Sequence, residues 1–189
     1  MVFGREAKRK QVDSKDLKPM KTREVISVLE CSSKGDRRFS AFYAKVAVHG
    51  ETTSIEEHYQ LSKRFGNKVP DSVRSAKGRK PTHFALGGKR YDVKYLSAWY
   101  KLLWVKYLDE QPDLVAYASG FDDFSDMFKG RSANCQADVF RQYVKVGRKS
   151  ILSALDVKEF VELMRKTEKD SCKRNDVKAV QSRNGGICS

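Results

Sequence analysis

The stretch from Arg38 to Phe65 constrains the fold most. It runs Arg38-Phe39-Ser40-Ala41-Phe42-Tyr43, then His49-Gly50-Glu51, then Ser54-Ile55-Glu56-Glu57-His58-Tyr59-Gln60-Leu61-Ser62-Lys63-Arg64-Phe65. The apolar residues from Phe39 to Val48 alternate imperfectly and predict a second strand or a strand pair. Gly50 permits a tight turn. Ser54 then starts a helix: its hydroxyl can accept from a free amide of the first turn, and Glu57 stands at the capping-box distance. The helix is expected to end at Gly66-Asn67. A chain that places an aromatic strand, a turn and a capped helix in immediate succession is committed to mixed α and β structure.

The flanking segments fit that frame. Val25 to Leu29 is β-rich and predicts a strand. Lys68 to Pro81 is basic and broken by Pro70, Gly78 and Pro81, which predicts a long loop. His83 to Leu86 and Lys89 to Val93 flank Gly87-Gly88 and predict a hairpin. Leu96, Trp99, Tyr100, Leu103, Trp104 and Tyr107 recur at helical spacing and predict an amphipathic core helix. A short helix follows from Gln111-Pro112, and further helices are expected over Cys135 to Val146 and Leu155 to Met164. The expected fold class is α+β, a single domain with a small antiparallel sheet packed by several helices. Residues 1–22 read as a basic flexible arm, 23–166 as the domain, and 167–189 as a disordered polar tail without apolar period.

Charge narrows the partners. The 189 residues carry a formal net charge of +14, a basic excess that favours nucleic acid, nucleotides or another polyanion, including non-specific nucleic-acid binding. A soluble protein with lysine-rich ends and no polyanion partner has the same composition. The four cysteines, Cys31, Cys135, Cys172 and Cys188, form no C-x-x-C pair, so neither a zinc site nor a disulfide framework is expected. No metal and no cofactor is expected. No apolar run approaches the ~18 residues of a membrane span, and the N-terminus lacks the apolar core of a secretory signal. A cytoplasmic location is the default expectation.

Four constellations could carry chemistry. Glu56, Glu57, His58 and Gln60 gather at the helix start. The helix macrodipole alone favours acids there by a few tenths to ~1 kcal/mol, with no function required. Asp122, Asp123 and Asp126 interleave with Phe121, Phe124 and Phe128, so one of these acids either caps a helix or faces a pocket. The basic run from Lys63 to Arg90 suits phosphate contacts and equally suits a solvated face. Among Tyr91, Trp99, Tyr100 and Trp104, most are core at that spacing and one could stack on a base.

The first motif resembles the signature of the NADAR (YbiA-like) family. That family has F-x-x-F-Y, a glycine turn, then S-x-E-H-x-Y-Q-x-x-K-F. Phe39, Phe42, Tyr43, Gly50, Glu56, Tyr59, Gln60 and Lys63 stand at the corresponding places. The family's histidine directly follows the glutamate, where this chain has Glu57 and then His58. Its closing phenylalanine comes one place late, as Phe65 after Arg64. Lys106-Tyr107, Ser119 to Asp122 and Gly130 to Asn134 answer to later motifs, without the family's Trp-Gly after the aspartate. The similarity spans about residues 38–145, and its departures point to a divergent branch of phage or mobile-element type.

The resemblance implies hydrolysis of an N-glycosidic bond in a nucleotide-like substrate, including ADP-ribose attached to guanine in nucleic acid. Such cleavage builds positive charge on the ribose, and a fixed carboxylate stabilises it and orients a water. Under this reading Glu56 and Asp122 are the catalytic pair and face one pocket. Phe42, Tyr43, Gln60, Lys63, Asn134 and the base-wall aromatic, Tyr91 or Trp99, bind substrate. Two other functions remain open: a non-catalytic nucleic-acid-binding protein on the same scaffold, and an interaction protein that inhibits a host enzyme.

Overall fold

A computed structural model describes residues 27–126 and 135–154. The expected arm (1–22), the tail (167–189), the helix over Leu155–Met164 and Asn134 lie outside the described residues. Strand β1 (Val28–Glu30) pairs in parallel with β7 (Asp123–Ser125), with Leu29 opposite Phe124. The two partners are separated by almost the whole described chain, so this pair ties its beginning to its later part.

Between them, β2 (Lys45–Val48) and β3 (Glu51–Ser54) form an antiparallel hairpin. Its turn holds His49 at φ 50° and Gly50 at φ 85°, the paired positive φ values that match strand twist in a two-residue turn. Strand β3 runs directly into helix α1 (Ile55–Ser62), so Ser54 ends the strand and caps the helix. Both halves of the capping box form: Ser54 Oγ accepts from the Glu57 amide at 3.2 Å, and Glu57 Oε2 accepts from the Ser54 amide at 3.0 Å. Next come β4 (Lys63–Arg64), the short helix α2 (Val73–Ala76), β5 (His83–Leu86) and β6 (Lys89–Tyr91), in sheet order β4-β5-β6. Gly87 and Gly88, at φ 53° and 80°, make the β5–β6 turn as expected.

Helix α3 (Leu96–Asp109) is the centre of the core. Trp99, Tyr100, Leu103, Trp104 and Leu108 are all buried along it. Trp104 packs edge-on against Phe140 of α5 (Gln136–Arg141) with centroids 4.8 Å apart, and Phe39 meets the same ring at 5.1 Å. Aromatic pairs of this geometry add about 0.5–1.5 kcal/mol each beyond their buried area. Helix α4 (Pro112–Ser119), a π-helical turn (Gln142–Val146) and α6 (Arg148–Ala154) complete the described chain.

The α+β class is as the sequence implies, with departures in detail, among them the short helix α2 within the Lys68–Pro81 segment expected as a loop. The strands form three small sheets, one of them parallel, where one antiparallel sheet was expected. The strand expected from Phe39 starts only at Lys45. Arg37–Phe39 is a 3-10 turn capped by Asp36, and the Tyr43 and Ala44 amides both donate to the Ser40 carbonyl. Lastly, α1 stops at Ser62 and not at Gly66, because Lys63 turns extended at ψ 151° to enter β4. The Arg64 guanidinium covers the carbonyls of Leu61, Ser62 and Lys63 that the helix end leaves open. Among the described residues no helix is long and apolar enough to cross a membrane.

Candidate functional site

A cavity of about 350 Å³ opens where α1, the turn after Phe39, the end of β7 and the start of α5 meet. One wall is a face of α1. Glu56 and Gln60, four apart, stack on one side of the helix, and Lys63, the first residue of β4, follows directly after its end. Their polar heads form a chain. The Gln60 amide nitrogen donates to Glu56 Oε1 at 3.2 Å, and Lys63 Nζ donates to Gln60 Oε1 at 2.7 Å. All three residues are buried. Gln60 is thereby oriented: its amide nitrogen can only face the carboxylate and its oxygen only the ammonium.

Glu56 is anchored through its backbone as well. Its amide donates to the Ala41 carbonyl at 2.9 Å, which fixes the helix start against the Ala41–Tyr43 turn. On the open side of the cavity, Lys77 Nζ lies 3.6 Å from Glu56 Oε1 and 4.7 Å above the Phe42 ring. The Glu56 side chain is 11% exposed and that of Lys77 48%. Thus Glu56 has one cation at the mouth and another reached through Gln60 in the interior.

Burial sets the protonation of the neighbouring groups. The Lys63 ammonium is pulled below its ordinary pKa by burial, partly offset by Glu56 and reinforced by Lys77. The Tyr59 phenol, under Lys63 at 4.5 Å, is pushed up to about 12 by burial and then by Glu56. Burial also raises the Tyr100 phenol. Neither phenol can act as a base near neutral pH.

The Ser32–Ser33 turn, Ser40, Asp126 and Gln136 also line the cavity. Gln136 is fixed by its side-chain oxygen, which accepts from the Ala41 amide at 3.1 Å. Asp126 Oδ2 accepts from the Cys135 thiol at 2.8 Å. Burial and that hydrogen bond push Cys135 up to about 12, so it is a neutral donor and not a thiolate nucleophile. A smaller cavity of about 190 Å³ shares Tyr100 with the first and is lined by Cys135 and Arg141. Its guanidinium is already taken by Asp123, Asp138 and the Phe124 carbonyl.

The structure brings together Glu56, Gln60, Lys63 and Phe42 of the residues singled out from the sequence. It does not place Asp122 with them. Asp122 is outside the cavity lining, where Asp126 stands instead. The Asp122 carboxylate accepts from both the amide and the hydroxyl of Ser27 at 2.7 Å, which holds its pKa below the ordinary carboxylate range. The three residues of β7 separate the two aspartates, which places them at opposite ends of that strand.

Tyr43 also lies off the lining: it is half exposed, with the Arg37 guanidinium 4.7 Å above its ring. Tyr91 is buried and stacks on Phe84 at 5.4 Å within the β4-β5-β6 sheet. Trp99 belongs to the α3 core, and the adjacent Tyr100 is the α3 residue that reaches the cavity. His58 donates from Nε2 to the Val46 carbonyl at 2.9 Å, which ties α1 to β2. Sequence reasoning left Lys77, Gln136 and Ser40 unassigned. Lys77 was signalled by the basic run, and Asp126 by the acid–aromatic cluster. Ser40 and Gln136 carried no signal, since single uncharged polar residues mark no chemistry until the fold gathers them.

The family model described as DarT1-associated NADAR antitoxin matches residues 2–174, and the chain belongs to that family. No curated protein matches the sequence.

Proposed function

We propose that this NADAR antitoxin family member is an N-glycosidase that removes ADP-ribose from guanine in nucleic acid, with Glu56 as the catalytic carboxylate. One observation carries the reading. A glutamate only 8% exposed faces a cavity of about 350 Å³ with an ammonium group on its mouth side. A buried carboxylate is costly unless it is paired, and this one is held where a ligand can reach it. The family description, a DarT1-associated antitoxin, fits an enzyme that erases a lesion made by a toxin.

The reaction needs little beyond placement and charge. Water adds through its oxygen to the anomeric carbon of the ribose as the carbon–nitrogen bond breaks. The bonding pair leaves with guanine, whose nitrogen takes one proton of the water, and the water's oxygen and remaining hydrogen become the sugar hydroxyl. Positive charge develops on the ribose, and the Glu56 carboxylate opposes it and accepts a hydrogen bond from the water. Gln60 keeps that carboxylate in one orientation. Asp126 takes the place of the second carboxylate that Asp122 was expected to supply. Lys63 and Lys77 supply positive charge for the diphosphate, and Phe42 offers a half-exposed ring at the mouth.

The test uses the full chain and an oligonucleotide carrying ADP-ribosylated guanine, with release of ADP-ribose followed by chromatography. Release by the wild type and its loss in Glu56→Gln is the expected result. An oligonucleotide that is bound yet stays modified would identify a binding protein and end the enzyme reading.

A further inference from the structure

Lys77 is placed to do more than neutralise Glu56. It caps the C-terminus of α2, where its amide donates to the Val73 carbonyl, and Gly78 follows at φ 74°. The backbone below it is therefore fixed, while its half-exposed side chain crosses the mouth between Glu56 and the Phe42 ring. A pair with one half-exposed partner is weak, because water competes for the cation. Lys63 has no such freedom: it is buried, bonded to Gln60 at 2.7 Å and seated over Tyr59.

Charge balance points the same way. Among the described residues, the lining holds two carboxylates, Glu56 and Asp126, and two ammonium groups, Lys63 and Lys77. A ligand bearing a diphosphate adds negative charge to a cavity that is balanced without it. Among the described residues of the lining, the cation that can turn towards it without breaking buried contacts is Lys77.

We infer that Lys77 exchanges partners on binding: the Glu56 carboxylate in the free protein, a phosphate oxygen of an ADP-ribosyl ligand in the complex. This rests on the N-glycosidase reading above. The exchange has a catalytic consequence. Once Lys77 has turned to the phosphate, the charge of Glu56 is no longer offset at the mouth and faces the sugar undiminished.

Calorimetric titration of the full chain with free ADP-ribose tests this without requiring turnover. Lys77→Gln is expected to weaken binding about tenfold or more, the scale of one charged hydrogen bond. Lys77→Arg should stay within about threefold of wild type, since it keeps the charge. Glu56→Gln should strengthen binding, because it removes the competitor for Lys77, and that gain should shrink in the Glu56→Gln/Lys77→Gln double variant. Wild-type affinity in Lys77→Gln, or an equal gain from Glu56→Gln in both backgrounds, would overturn the exchange. If the wild type hydrolyses the modified oligonucleotide while Lys77→Gln binds ADP-ribose normally, this inference falls alone. A wild type that neither hydrolyses nor binds removes the enzyme reading with it.

Discussion

Glu56 and Asp122 begin as equals in the sequence: each is an acid beside another acid, close to aromatic residues and near the start or end of an element. The fold gives them different partners. Glu56 is buried against Gln60 and Lys77 on a cavity wall, whereas Asp122 is spent on the amide and hydroxyl of Ser27. The first is anchored by its backbone and leaves its carboxylate to the cavity. The second uses its carboxylate to fasten the chain just ahead of β1 to the chain just ahead of β7. An acid can serve chemistry when something other than its side chain holds its segment in place.

Substitutions at the two acids should break this contrast if it is wrong. Glu56→Gln should cut hydrolysis of an ADP-ribosylated oligonucleotide by about 10²–10³-fold, the cost of losing one placed electrostatic group. Asp122→Asn should leave turnover within about threefold while lowering the melting temperature, since it fastens structure and does not line the cavity. Equal loss of turnover from both, measured under single-turnover conditions, would return Asp122 to the site.

Next in size is the cap that positions Glu56. Ser54→Ala removes the acceptor for the Glu57 amide and the hydroxyl that donates to Glu57 Oε2 at 2.8 Å. Chemical denaturation should show a loss of about 1 kcal/mol, typical of N-cap serines. Turnover should fall with it, because the first turn of α1 carries Glu56. Unchanged denaturation would mean that the strand entering the helix holds that turn unaided.

The smallest effect is an acid-side one at Asp122. Its pKa is held down in the fold by the Ser27 donors. The stabilisation is therefore present above the unfolded aspartate value of about 4 and is lost as pH falls through the lower folded value. Melting curves of the wild type should converge on those of Asp122→Asn as pH drops below about 4. Curves that stay parallel would show that Ser27 does not favour the charged form.

Much of the fold was legible. The Ser54–Glu57 box, the Gly87-Gly88 hairpin and the α3 core helix are local features, each settled by residues within a few positions of one another. The Phe39–Val48 strand misled because Asp36 and Ser40 organise a turn there, and side-chain and carbonyl bonds of that kind outweigh β propensity over a few residues. The end of α1 misled because β4 must pair with β5, and that pairing partner lies some twenty residues away.

The candidate site divides along the same line. The sequence by itself determined the α1 face, since Glu56 and Gln60, four apart, share a side of the helix, whereas Lys63 joins them from the start of β4. Only the tertiary structure decided which aspartate lines the cavity with Glu56, which lysine stands at the mouth and which α3 aromatic reaches the cavity. Those choices depend on the parallel β1–β7 register and on the packing of α3 against α1, where a shift of one position turns a side chain from the cavity to the core or to solvent.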